Sequence, residues 1–162
     1  MSNVGAGEKF SEDCAQVRLR IGALDIIGAI TNQLKEMAYT TNLRAAARRH
    51  YNDGRKLLVD KCYDNAGYHF GFAAECAVKQ KLIDCGVRAD DNAIWTHWPA
   101  LRHLGLLALA GRSADPVRKL LDSDSFMQGW DTKMRYAPSG SISDSTAEKW
   151  RADADRAVGL LI

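Results

Sequence analysis

Residues 64–86 read DNAGYHFGFAAECAVKQKLIDCG, and no other part of the chain constrains the architecture so strongly. Small and apolar residues recur here at intervals of three and four: Ala66, Phe70, Ala73 and Ala77, and beside them Ala74, Val78, Leu82 and Cys85. This spacing predicts a core-facing helix of about five turns. Gly86 follows the last periodic residue, where a glycine in the left-handed conformation commonly ends a helix.

The residues just before this stretch predict a second helix. Thr40, Thr41 and Asn42 offer side-chain oxygens that can accept from the free backbone N–H groups of a first turn. An apolar face then runs through residues 43–61, at Leu43, Ala46, Ala47, His50, Gly54, Leu57 and Leu58. The link formed by Cys62 and Tyr63 is so short that the two helices are expected to pack antiparallel as a hairpin.

Helical patterns continue to the end of the chain. We predict a third helix capped by Thr96, a fourth opened by Asp115 and Pro116, and a further helical turn or two around residues 126–134. In the last helix Ser145 stands three residues before Glu148, the spacing of a capping box. The sequence therefore predicts an all-α, up-and-down antiparallel bundle of five to six helices over residues 43–162, preceded by an extension, residues 1–42, with one helix over 14–39.

Composition limits the functional classes. The 162 residues are 46% hydrophobic and 26% charged, and the net charge is +2, too mild to predict nucleic-acid binding unless a basic site is local. No run approaches the roughly 18 apolar residues of a membrane span. The four cysteines lack C-x-x-C spacing and no secretory signal precedes them, so we expect a reduced, cytoplasmic protein without a metal site or cofactor.

Three segments together match the pattern of a known family of helical domains. They are residues 54–82, GRKLLVDKCYDNAGYHFGFAAECAVKQKL, residues 96–104, THWPALRHL, and residues 130–138, WDTKMRYAP. The first segment resembles the first two helices of the HEPN domain family, the second resembles its third helix, and the third resembles its closing segment. The resemblance implies a prokaryotic helical domain, often a homodimer, of toxin–antitoxin, nucleotidyltransferase-associated or defence systems.

Many HEPN proteins are metal-independent endoribonucleases that use an R-x(4-6)-H motif near the penultimate helix. This chain departs from that pattern, because no histidine follows Arg135. Arg44 and His50 are the one pair with the required spacing. Six residues of a regular helix rotate by about 600°, which leaves these two side chains about 120° apart, a poor geometry for cleavage within one helix.

Other residues are candidates for ligand binding. Arg135 and Tyr136 combine a bidentate phosphate donor with a stacking surface. Glu75 is placed to form a favourable helix ion pair with Lys79, four residues on, and it also matches the acidic position of the family's second helix, where it could line a ligand groove. His97 and Arg48 complete the candidates. Arg48 belongs with Arg44 and Arg55 to a basic stripe that either binds an anionic partner or is simply solvated.

The leading hypothesis is a non-catalytic HEPN-like module that binds a nucleotide, RNA or a protein partner. The alternative is a HEPN ribonuclease with an unconventional site formed by Arg44, His50 and Arg135. A third possibility is a scaffold that pairs with a separately encoded nucleotidyltransferase.

Overall fold

The computed structural model describes residues 40–88, 92–109 and 116–162, and every regular element in those ranges is helical. The prediction of an all-α fold is therefore confirmed for this part of the chain. These ranges contain five α-helices: α1 (Leu43–Val59), α2 (Tyr63–Asp84), α3 (Ala100–Ala108), α4 (Pro116–Asp122) and α5 (Asp144–Gly159). Two short 3-10 helices, Asn92–Trp95 and Thr132–Tyr136, lie between them.

The predicted start of α1 and end of α2 are confirmed, whereas α1 ends at Val59 rather than Lys61 and Tyr63 already belongs to α2. The Asn42 side chain accepts a hydrogen bond from the backbone N–H of Ala45 at the start of α1. After α2, Gly86 has a φ of +94°. Its N–H donates to the carbonyl of Ile83, and the N–H of Val87 donates to that of Leu82, so the last carbonyls of the helix are satisfied.

Helices α1 and α2 form the predicted antiparallel hairpin. The chain reverses at Asp60–Cys62, where Lys61 takes a positive φ of 60°. At the open end of the hairpin, the Arg44 guanidinium of α1 bonds Asp84 of α2 at 2.7 Å. Gly54 lets α1 approach the Phe70 ring, since a Cβ at this position would lie 2.8 Å from that ring.

Helix α5 packs on another side of α2. The Trp150 ring lies over Gly67, and the Trp130 indole lies over Gly71 and donates from Nε1 to the Gly67 carbonyl at 3.0 Å. Small residues of α2 thus admit large aromatic rings close to its backbone. Because α2 contacts α1, α3, α5 and the 3-10 helix Thr132–Tyr136, it is the central element of the core.

Several predicted boundaries are wrong. Helix α3 begins at Ala100 rather than after Thr96, because His97 and Trp98 bond to Glu75 of α2 instead of entering a helix. The N-cap of α5 is Ser143, whose hydroxyl accepts from the N–H of Thr146, and not Ser145.

Around residues 123–131 the chain forms turns, with Met127 at a φ of 50°. The helix predicted over residues 14–39, and the predicted cap at Asp115, lie outside the described residues.

Candidate functional site

One stripe of α2 carries a continuous row of polar and aromatic side chains. Asn65, Tyr68, Phe72, Glu75 and Lys79 follow one another at intervals of three or four, so they share an arc of about 80° on the helix surface. The buried core face of α2 is formed by alanines, glycines, Phe70, Val78 and Leu82. We call these five residues the α2 stripe.

Glu75 lies at the centre of a buried polar cluster. Its Oε1 accepts from Lys79 Nζ at 2.8 Å and lies 2.8 Å from His97 Nδ1, while Oε2 accepts from the Trp98 N–H at 3.4 Å. Glu75 is 2% exposed and Lys79 is 5% exposed. Burying both charges is tolerable because each has a partner of opposite charge at hydrogen-bond distance.

His97 is the member of this cluster that reaches solvent. Its side chain is 52% exposed, whereas that of Glu75 is 3% exposed. A carboxylate accepts hydrogen bonds, so the imidazole donates from Nδ1 and, when neutral, carries its lone pair on Nε2. Glu75 therefore orients His97 in the way that an acid–base histidine is oriented in enzymes.

The neighbouring thiol is not a nucleophile. Burial raises the pKa of Cys76 to about 11, and the negative charge of Glu75 adds to the rise. At neutral pH the group is therefore a protonated thiol, and the chemistry available to this cluster is proton transfer by His97.

A second feature, a cavity of about 310 Å³, lies beside the start of α2. Its walls include Asn65 and Tyr68 of the α2 stripe, together with Met134, Arg135 and Ser139. The loop that closes it is fixed by Asp64, whose two carboxylate oxygens accept from the N–H groups of Gly140 at 2.6 Å and Ile142 at 2.8 Å. Those bonds offset the charge of the one acidic residue in the wall. We call this cavity the Arg135 pocket.

Arg135, like Arg48, Arg49 and Arg55 of α1, has no carboxylate partner in the described ranges, and it is the one of these four that lines the pocket. Five other arginines are paired with acidic side chains: Arg44, Arg102, Arg118, Arg151 and Arg156. The Arg135 guanidinium lies 5.0 Å from the centre of the Tyr136 ring, and Tyr136 is 78% exposed. A cation and an aromatic face are thus both presented to solvent at the edge of the pocket.

Phe72 connects the two features. Its ring centre lies 4.8 Å from that of Tyr68, which lines the Arg135 pocket, and 6.3 Å from that of His97. The spacing along α2 from Tyr68 to Glu75 is seven residues, or about 10 Å. The Arg135 pocket and His97, the exposed member of the buried cluster, are therefore neighbours on one surface.

The structure brings together some of the residues predicted from the sequence and separates others. Glu75 contacts His97, and Arg135 stacks on Tyr136. Arg44 instead bonds Asp84 and the Leu161 carbonyl at the far end of α2. Asp84 and Asp64 are 20 residues apart on that helix, about 30 Å, so Arg44 and Arg135 do not meet within one chain.

The two remaining candidates lie on α1. His50 contacts His69 of α2, with 3.1 Å between the two Nδ1 atoms, and Arg48 is exposed to solvent. Tyr68 and Phe72, which connect the Arg135 pocket to His97, were not predicted as site residues from the sequence. Their spacing of four residues, continued by Glu75 and Lys79, places all four on one side of α2 and could have identified them.

None of the helices in the described ranges combines the length and apolarity that crossing a bilayer requires. In the same ranges, no group of three or more His, Cys, Asp or Glu side chains has a geometry suited to a metal ion.

Comparison of the chain with protein-family models, with curated proteins and with solved structures gave no match.

Proposed function

We propose that this chain is a HEPN-like helical module that binds a nucleotide or single-stranded RNA on the surface formed by the Arg135 pocket and the α2 stripe. Arg135 would bind a phosphate, and Tyr68 or Tyr136 would stack on a base. The homodimer, the nucleotidyltransferase partner and the cytoplasmic toxin–antitoxin or defence setting belong to the same proposal, and they rest on the sequence alone.

The observation that carries this proposal is the free guanidinium of Arg135 beside aromatic rings and a cavity. A volume of about 310 Å³ is at the lower end for small-ligand sites, which suits one nucleotide. Arginine binds phosphate through two parallel hydrogen bonds, and stacking of a base on an aromatic ring contributes about 1–3 kcal/mol. Both groups are solvent-accessible, so a ligand would not have to displace an internal ion pair.

Replacing Arg135 by alanine should weaken binding of a fluorescent nucleoside monophosphate or a short single-stranded RNA by about tenfold or more. The reason is the loss of a charge-assisted hydrogen bond, which contributes about 1.5–3 kcal/mol. Fluorescence anisotropy at two salt concentrations measures this change, and the slope of affinity against salt should decrease because one phosphate contact is lost.

The control is Arg48→Ala, which removes the same charge from the exposed side of α1. It should bind like the wild-type protein. An equal loss in both variants would assign binding to the basic stripe of α1, and unchanged binding by Arg135→Ala would disprove the Arg135 site. If the wild-type protein binds neither probe at low salt, a scaffold role is favoured.

The second candidate function is metal-independent ribonuclease activity, with His97 in place of His50. The contact of 2.8 Å between Glu75 and His97 favours it, because a buried carboxylate that holds Nδ1 leaves Nε2 available to take a proton from a ribose hydroxyl. Phe72 places this histidine next to the proposed binding surface.

If the chain cleaves RNA, His97→Gln should reduce the rate by about 100-fold or more, since general acid–base catalysis typically contributes 10²–10⁴-fold. Gel analysis of a labelled RNA in EDTA measures the rate. His103→Gln is the matched control, because His103 is an exposed histidine of α3. Equal cleavage by all three proteins would disprove the role of His97, and absence of cleavage by the wild type would leave binding as the function.

A further inference from the structure

Two histidines face each other across the contact between α1 and α2. His50 Nδ1 of α1 lies 3.1 Å from His69 Nδ1 of α2, and the ring centres are 5.2 Å apart. At this distance one nitrogen must donate a proton and the other must accept it. The hydrogen bond therefore exists only while at least one of the two rings is neutral.

The pair lies directly behind the proposed binding surface. The centre of the His50 ring is 5.6 Å from that of Phe72, and the Tyr68 ring contacts both His69 and Phe72. Movement of the His50 imidazole would therefore remove a neighbour of Phe72, whose ring also contacts His97.

The charged groups around His50 do not offset the positive charge that a second proton would add to the histidine pair. On its own helix Arg49 opposes protonation and Asp53 favours it, while His69 on α2 opposes it. On α5, the charged groups that pack toward α1, Arg151 and Asp155, interact with Tyr51 instead. Burial is the largest cause of the lowered pKa of His50, followed by the charge of His69.

We propose that His50 and His69 form a proton-sensing latch between α1 and α2, which is closed when the two rings share one proton at Nδ1 and opens when both are protonated. In the open state each Nδ1 carries a proton, so the two N–H groups point at each other and the rings separate. Phe72 then loses the support of His50. The latch is independent of whether the surface binds RNA.

The expected direction follows from proton linkage. An unfolded histidine has a pKa near 6.5, and His50 in the folded chain has a lower pKa, so the folded state binds fewer protons in this range. Stability should therefore fall as the pH decreases through about 6.5 and stop falling below the folded pKa. Above this pH range the contribution of His50 to the free energy of unfolding is fully present.

The test is urea unfolding of the full chain at pH 7.5 and pH 5.5, in the wild type and in His69→Asn. An asparagine amide can either donate to or accept from His50 Nδ1, so this variant has no conflict of two donors. Between the two pH values, the unfolding constant of the wild type should rise about fivefold more than that of His69→Asn, the equivalent of one hydrogen bond. His103→Asn, which removes an exposed histidine, should behave like the wild type.

A second measurement does not depend on a variant that folds. Nitrogen-15 NMR of the wild-type protein should show one shared Nδ1–H between the two rings at neutral pH, and protonation of His50 below the ordinary range of histidine. Equal pH dependence of unfolding in the wild type and His69→Asn, or protonation of His50 near pH 6.5, would overturn the latch.

Discussion

Replacing Gly71 by alanine should lower the free energy of unfolding by about 3 kcal/mol or more, at the upper end of the range for overpacked cores. A Cβ at this position would lie 1.7 Å from Trp130 Cε2, which is a rigid ring atom rather than the end of a flexible chain. Relief requires Trp130 to move, and this movement would break the bond from its Nε1 to the Gly67 carbonyl. Thermal unfolding should show a decrease in Tm of about 10 °C.

Gly159→Ala is the matched control, because this glycine is also helical and no atom lies within 4 Å of the Cβ that it would gain. Alanine has the higher helix propensity, so Gly159→Ala should leave the protein equally or slightly more stable, by up to about 1 kcal/mol. A Tm of Gly71→Ala close to that of the wild type would show that Trp130 does not pack on α2 as described.

The first helical hairpin was predictable because its signals are local. Asn42, the apolar periods of α1 and α2, and Gly86 each act within a few residues, and the structure contains the corresponding cap, helices and left-handed glycine. Trp130 over Gly71 was not predictable in the same way. Residues 59 positions apart meet there, and periodicity does not encode such a contact.

The segment before α3 shows how a tertiary contact overrides a local signal. Thr96 and Pro99 favour a helix start on their own. In the structure the His97 imidazole and the Trp98 N–H instead donate to the Glu75 carboxylate, because a buried carboxylate requires hydrogen-bond donors. The sequence identified Glu75 and His97 as separate candidates, and the geometry that unites them depends on this long-range bond.

The Glu75 carboxylate is also the partner of the buried Lys79 ammonium. Glu75→Ala should lower the free energy of unfolding by about 3–5 kcal/mol, because it leaves the Lys79 ammonium buried without its partner. The N–H of Trp98 would lose its acceptor as well. Urea unfolding at pH 7.5 measures the change, and a loss below about 1 kcal/mol would mean that Lys79 finds solvent or another acceptor.

The informative comparison is the double variant Glu75→Leu with Lys79→Met, which replaces both buried charges by apolar side chains of similar size. Removing an ion pair in this way is often neutral or stabilising, so the double variant should be far more stable than Glu75→Ala. His97 would then lack the carboxylate that orients Nδ1. If the folded double variant loses RNA cleavage or binding, the buried pair serves the site through His97. If it retains the wild-type activity, the pair contributes to packing alone.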